Sequence, residues 1–332
     1  MSIDRRTLLG SIAASSLVSA CGRGTSQGDG SYPAKDITFI IPVAPGGGAD
    51  IYARLIGAAM ERHLPNRVNI VPFNVPSGGG GKGVTQLFRA APDGYTIGIL
   101  NIPGIFVLQR MRQMPYDLSR FTWLGAVTEG EHYGLAVRWD SPFRSVQDLQ
   151  RESQRRELTF TATGPEGTAY TATQISTRML GLRHRMVTGY RGSNDYVVGA
   201  MRGDGDAVVA ALSVIQRLQE GQSIRLLATF DDEPVTTAIP NARAIGHPDL
   251  AQITAERVIA APPGTPENVR NILAAALAKA SREPDVVSFA QRIGETLSPK
   301  TPDQIAAMIA ERRAFLDRWL TTDAGAPTSN LA

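Results

Sequence analysis

Pro45-Gly46-Gly47-Gly48-Ala49-Asp50 falls between an apolar run and a helical pattern, and its residue types suit the capture of an anion. Glycine lets backbone approach a ligand, and the unpaired amides and dipole at a helix start favour negative charge. The same residues also make a tight turn with Asp50 as a helix cap, and spacing alone leaves both readings open. Ser77-Gly78-Gly79-Gly80-Gly81-Lys82-Gly83 is a second glycine-rich turn before a helix. It is not a P-loop: Pro76 stands where the first glycine belongs, and Gly83 stands where a hydroxyl should hold magnesium. Gly78, Gly80 and Gly83 do spell G-x-G-x-x-G, but within a low-complexity run and outside the first strand-helix turn. A carboxylate held by backbone amides is the simpler chemistry, with Lys82 solvated.

Matching turns recur later. Thr163, Gly164 and Thr168 precede one helical pattern, and Arg191, Gly192, Ser193 and Asn194 precede the next. Hydroxyls and amides at helix starts suit a carboxylate, although Thr168 and Ser193 also fit ordinary N-caps. Arg191 has the fork for a bidentate carboxylate contact or stands in solvent. Catalytic patterns are missing: there is no G-x-S-x-G, H-E-x-x-H or C-x-x-C. His63, His132, His184 and His247 are scattered, and Glu129 and Glu131 are close only in sequence. Neither set argues for a metal or for acid-base chemistry, and no cofactor is expected.

The elements that must carry these turns alternate. Apolar runs predict strands over 37–43, 68–71, 96–100, 133–137, 158–162, 186–189, 207–212 and 258–262. Helical spacing predicts helices over 51–64, 82–90, 145–154, 170–180, 195–202, 267–281 and 302–320, with Ser145 capping the third. Strand-helix alternation in two similar halves, with a returning C-terminal segment, predicts an α/β fold of two lobes joined by two crossing strands.

Before the first strand lies an export address. Arg5-Arg6 precedes an apolar run too short to span a bilayer, which ends in Val18-Ser19-Ala20-Cys21. The arginine pair reads as a twin-arginine signal or serves an ordinary secretory one. Cys21, the only cysteine, stands at a lipobox position and excludes an intramolecular disulfide. The glycine- and serine-rich stretch 22–31 then reads as a tether. Formal charge is +3, falling to +2 without Asp4, Arg5 and Arg6, which gives no reason to invoke nucleic acid.

Tyr32-Pro33, the segment 37–50 and Ala91-Pro92-Asp93-Gly94-Tyr95-Thr96 resemble the extracytoplasmic solute receptors of tripartite tricarboxylate transporters, the Bug or TctC-like family. The stretches 158–168, 189–192, 203–209, 224–229 and 260–266 extend the resemblance across about 32–320. It implies a two-lobed type II periplasmic-binding-protein fold whose cleft closes by hinge motion over a carboxylated solute. By position it carries ligand contact onto Gly46, Gly47, Gly48, Ala49, Asp50, Ser77 and Gly78 from one lobe. From the other come Thr163, Gly164, Thr168, Gly192, Ser193 and Asn194, with Asp206 either touching ligand or capping structure.

The resemblance further implies a receptor, not an enzyme, that hands its solute to membrane permease subunits, and a monomer is expected. A sensor presenting ligand to a kinase, or an exported enzyme using the same cleft, are the competing readings. Ala49 replaces the family's usual hydroxyl residue and Lys82 an asparagine, so the solute does not transfer from relatives. The expected parts are a leader over 1–20, a tether over 21–31 from an acylated Cys21, lobe 1 over 32–137 and 258–325, lobe 2 over 138–257, and a tail over 326–332. The expected place is the extracytoplasmic face of a membrane.

Overall fold

The computed structural model describes residues 32–319 apart from 47, 77, 166, 191, 220, 235–237 and 294–296. The leader, Cys21, the tether, the tail, Gly47, Ser77 and Arg191 lie outside the described residues. No helix among the described residues is long and apolar enough to cross a membrane.

The first half runs β1 (Ile37–Ile41), α1 (Gly48–Glu61), β2 (Ile70–Asn74), α2 (Gly81–Arg89), β3 (Thr96–Ile102), α3 (Gly104–Arg112) and β4 (Thr122–Thr128). The chain then crosses on β5 (Glu131–Arg138) into α4 (Val146–Arg155), β6 (Leu158–Thr161), α5 (Thr168–Met179), β7 (His184–Val187), α6 (Ser193–Arg202), β8 (Ala207–Ala211), α7 (Leu212–Gln219) and β9 (Ile224–Thr229). It returns on β10 (Thr254–Ala261) and closes with α8 (Glu267–Ala280), α9 (Pro284–Ile293), β11 (Leu297–Lys300) and α10 (Pro302–Trp319).

The sheet order β2-β1-β3-β10-β5-β8-β6-β7 has β4 also on β10 and β9 on β5. The strands β1, β2 and β3 are parallel, as are β6, β7 and β8. Each set therefore aims its strand ends and following helix starts in one direction, as right-handed crossovers require. The halves meet where β10 touches β5 through Thr254 opposite His132 and Ala255 opposite Glu131. These two strands are the crossing pair expected of a two-lobed α/β receptor.

Strand β5 and helix α10 each touch both halves. The sequence-level boundary at 137/138 falls at the end of β5, yet β5 pairs with β8 and β9 along most of its length. Helix α10 also serves both halves: Ile305 and Ile309 join the first-half core, whereas Phe315 and Leu316 join the second. Arg312, between them, donates to the Gln252 carbonyl and to Thr254 Oγ1, tying this helix to the start of β10.

Helix α1 shows how the sequence places the first turn. Tyr52, Ala53, Ile56, Ala59 and Met60 are buried at helical spacing against Phe39, Ile97 and Ile259. Burying Ile56 alone is worth about 1.5–3 kcal/mol, so the apolar stripe fixes the helix on the sheet and its start beyond the end of β1. In the second half, Ser145 and Asp148 form the expected capping arrangement at α4.

Candidate functional site

The N-terminal ends of α1, α5 and α6 follow β1, β6 and β7 and gather at the crossing-strand side of their half-sheets. Helix starts present unpaired amides, which suit an anion, and these three are shared between the two halves.

The first turn is held by Asp50. Its Oδ2 accepts the Gly46 N–H at 2.9 Å, and Arg54 Nε reaches both oxygens at 3.0 Å. Asn74 Nδ2 donates to Oδ1 at 2.8 Å and to the Val43 carbonyl at 3.0 Å. Burial pushes the Asp50 carboxyl up, but the bonds from Arg54, Gly46 and Asn74 outweigh it and bring the pKa down to about 2. Asp50, only 3% exposed, is therefore an anion that braces the turn through the Gly46 N–H. Gly48 and Ala49 open α1 directly in front of it.

The second glycine run is a packing device. Gly78–Gly80 forms one 3-10 turn before α2, and a Cβ on Gly80 or Gly83 would meet Pro42 at 3.0–3.2 Å. The run thus lets α2 press against the chain leaving β1, which explains its glycines without any nucleotide.

In the other lobe, Thr163 and Gly164 leave β6, and the Gly167 N–H closes the turn on the Gly164 carbonyl at 2.8 Å. Thr163 Oγ1 is buried and has no hydrogen-bond partner among the described residues. A Cβ on Gly167 would lie 2.0 Å from that oxygen, so only glycine fits beside it. Gly167, not Thr168, takes the N-cap place of α5, and Gly192, not Ser193, that of α6, both without side-chain caps. Thr168 and Ser193 stand instead as first helical residues. Asn194 Oδ1 accepts Arg217 Nη2 from α7 at 3.1 Å.

Asp206 sits elsewhere. Its carboxylate takes a bidentate pair from Arg156 at 2.8 and 2.8 Å and the Thr159 N–H at 2.8 Å. Burial raises its pKa, but Arg156 and the Thr159 amide bring it below the ordinary value. Arg156 precedes β6, whereas Thr163 follows it, so Asp206 closes the strand end away from the carboxylate turns.

Sequence reading missed a charged group between the lobes. Arg257 Nη2 on β10 lies 3.3 Å from Glu131 Oε2 on β5, and Ser213 at the start of α7 donates to Glu131 Oε1. The Tyr52 ring of α1 lies 5.6 Å from the guanidinium. The available signal was the charged pair Glu256-Arg257 at the head of the apolar run 258–261.

A cavity of about 580 Å³ is a different feature, lined by Trp123, Glu267, Arg270, Asp303 and Arg313 among others. It lies at the far end of the first half-sheet, where β4 begins and β10 ends. Its helix starts carry Glu267 and Asp303, and its lining comes from the first half and the C-terminal helices alone.

Residues 52–319 match the tripartite tricarboxylate transporter family receptor model. The chain belongs to that family. It is 27% identical over 323 residues to the UPF0065 protein in the tcbD-tcbE intergenic region of a Pseudomonas species, covering 96% of this chain and 93% of that one. It is 26% identical to Protein BugT of Bordetella pertussis, covering 87% and 88%. Among solved structures, MatC from Rhodopseudomonas palustris with bound malate shares 25% identity and a TM-score of 0.71 over 87% of this chain and 98% of that one. An R. palustris protein with adipate shares 25% and 0.70, covering 87% and 96%. The family is one of periplasmic solute-binding receptors, which gives the receptor a solute-binding role and the two-lobed fold its meaning.

Proposed function

We propose that this receptor captures a small organic carboxylate between its lobes and delivers it to the permease subunits of a tripartite tricarboxylate transporter. The observation that supports the reading is that α1, α5 and α6 begin at the strand ends nearest the crossing of β5 and β10, with the Thr163 hydroxyl beside one of those starts buried and without a hydrogen-bond partner among the described residues. Malate and adipate in structural relatives support the same ligand class.

One carboxylate end rests on the amides of residues 46–50 and, from the opposite lobe, on Thr163, Gly164, Thr168, Gly192, Ser193 and Asn194. Residues 77 and 78 flank it. Hydrogen bonds to a charged group are worth about 1.5–3 kcal/mol each, so contacts from both lobes favour the closed form in which all are made together. The receptor performs no covalent step. Residues 1–20 export the chain, and Cys21, acylated, keeps it on the outer face of the membrane beside its permease.

A thermal-shift screen of mono-, di- and tricarboxylates, aromatic acids and amino acids tests this reading. Ligand at 100 times its dissociation constant adds about 2.7 kcal/mol of apparent stability. A shift confined to one acid class supports capture of that class, and a folded, ligand-free protein indifferent to every acid contradicts it.

A further inference from the structure

Helix α6 opens on Gly192 in extended conformation, with no side-chain cap on its first amides. A capping side chain would fix this turn, but it would also take up those amides. The chain entering α6 gets its support elsewhere. Of the described residues between β7 and α6, which are Thr188, Gly189, Tyr190 and Gly192, only Tyr190 has a large side chain. Gly189 takes a φ of +105°, and a Cβ on Gly189 or Gly192 would meet nothing within 4 Å, so neither pins the path.

Tyr190 instead reaches along α6 towards its far end. A Cβ on Gly199 would lie 2.6–2.7 Å from Cε1, Cζ and Oη of Tyr190, so the ring fills the notch which that glycine leaves. Glycine inside a helix is a standing cost relative to alanine, and the ring accounts for it here. The Tyr190 hydroxyl donates to Asp204 Oδ2 at 2.7 Å. Asp204 is itself set by the end of α6: its N–H reaches the Gly199 carbonyl at 3.0 Å, and Gly203 turns the chain at a φ of +94°. Burial and the Asp204 carboxylate push the phenol up to about 12, so it stays a donor at neutral pH. The ring also packs against the core that holds Tyr196, Val197 and Ala200. At the front of the helix, Arg217 from α7 holds Asn194 through its side-chain oxygen rather than an amide.

We propose that Tyr190 is the positioning residue of the second-lobe turn: seated at Gly199 and bonded to Asp204, it fixes the chain entering α6 from the helix's other end, which leaves the Ser193 and Asn194 amides to the solute. This rests on the carboxylate reading above, in which those amides meet the acid.

Calorimetric titration of malate, adipate, citrate, butyrate and benzoate tests it on wild type, Tyr190→Phe, Tyr190→Ala and Gly199→Ala. The acid that wild type binds tightest should bind Tyr190→Phe about two- to tenfold more weakly, as for one lost hydrogen bond, at an unchanged melting temperature. Gly199→Ala displaces the ring and should weaken binding at least as much, although alanine is the better helix former. Added to Tyr190→Ala, it should cost no further affinity, because the ring it displaces is gone. In solute-free Tyr190→Phe the amide signals of Ser193 and Asn194 should already have moved, which a loss of stability alone would not produce. Variants that melt lower yet bind as wild type does would make Tyr190 a brace of the fold only and overturn the proposal, with the carboxylate reading still standing. Losses that add in full in the double variant would overturn it too. A wild type that binds none of these acids would remove the reading and this inference together.

Discussion

Asp50 Oδ2 accepts the Gly46 backbone N–H at 2.9 Å, so the first glycine turn is braced by a carboxylate from its own helix. The aspartate onto which the resemblance carried a ligand contact makes its hydrogen bonds to Arg54, Asn74 and Gly46. In the proposed site, a solute carboxylate at this turn would meet the helix dipole with the Asp50 charge already compensated.

Asp50→Asn should destabilise the fold by about 2 kcal/mol at neutral pH, since it weakens charge-assisted bonds to Arg54 and Gly46. The carboxyl is depressed from 3.8 to about 2 in the folded state. Its contribution is therefore complete above the unfolded pKa and disappears as pH falls through about 2. Chemical denaturation from pH 7 to pH 2 should show the wild-type advantage constant down to about pH 4 and shrinking below it. An advantage that does not change with pH would mean that the charge of Asp50 contributes nothing.

Replacing Asp206 separates structure from ligand contact. Asp206→Ala should cost about 1–3 kcal/mol of stability by leaving Arg156 and the Thr159 amide without their acceptor. Affinity for the best acid found in the screen should stay unchanged. A loss of affinity without loss of stability would bring this aspartate back to the solute.

Thr163→Val removes the buried hydroxyl and keeps the shape. Its partnerless Oγ1 beside Gly167 predicts a protein at least as stable as wild type, with acid binding weakened by about 0.5–1.5 kcal/mol. Calorimetry and melting on the same preparation check both halves. Unaltered affinity would remove Thr163 from the solute's contacts.

Alternation of strands and helices was legible because apolar runs bounded by glycine and proline mark one period and Ile56-type stripes the other. Helix α7 was not, because it follows β8 at Ala211/Leu212 with no breaker between them. At the site, glycine turns announced where backbone is exposed, but side-chain roles depended on partners far away in sequence. Asp206 is explained by Arg156, fifty residues earlier. Arg257 acquires meaning only when folding brings Tyr52, Glu131 and Ser213 around it. Thr168 and Ser193 read as caps because hydroxyl residues usually are, whereas Gly167 and Gly192 hold those places.

The central claim is where the carboxylate binds, and backbone amide shifts recorded by NMR during titration with the tightest-binding acid test it most directly. The account predicts that the largest changes fall on residues 46–50, 163–168 and 192–194, in both lobes at once. Changes centred on Trp123, Arg270 and Arg313, with those turns silent, would place the solute in the groove at the far end of the first half-sheet and contradict the account.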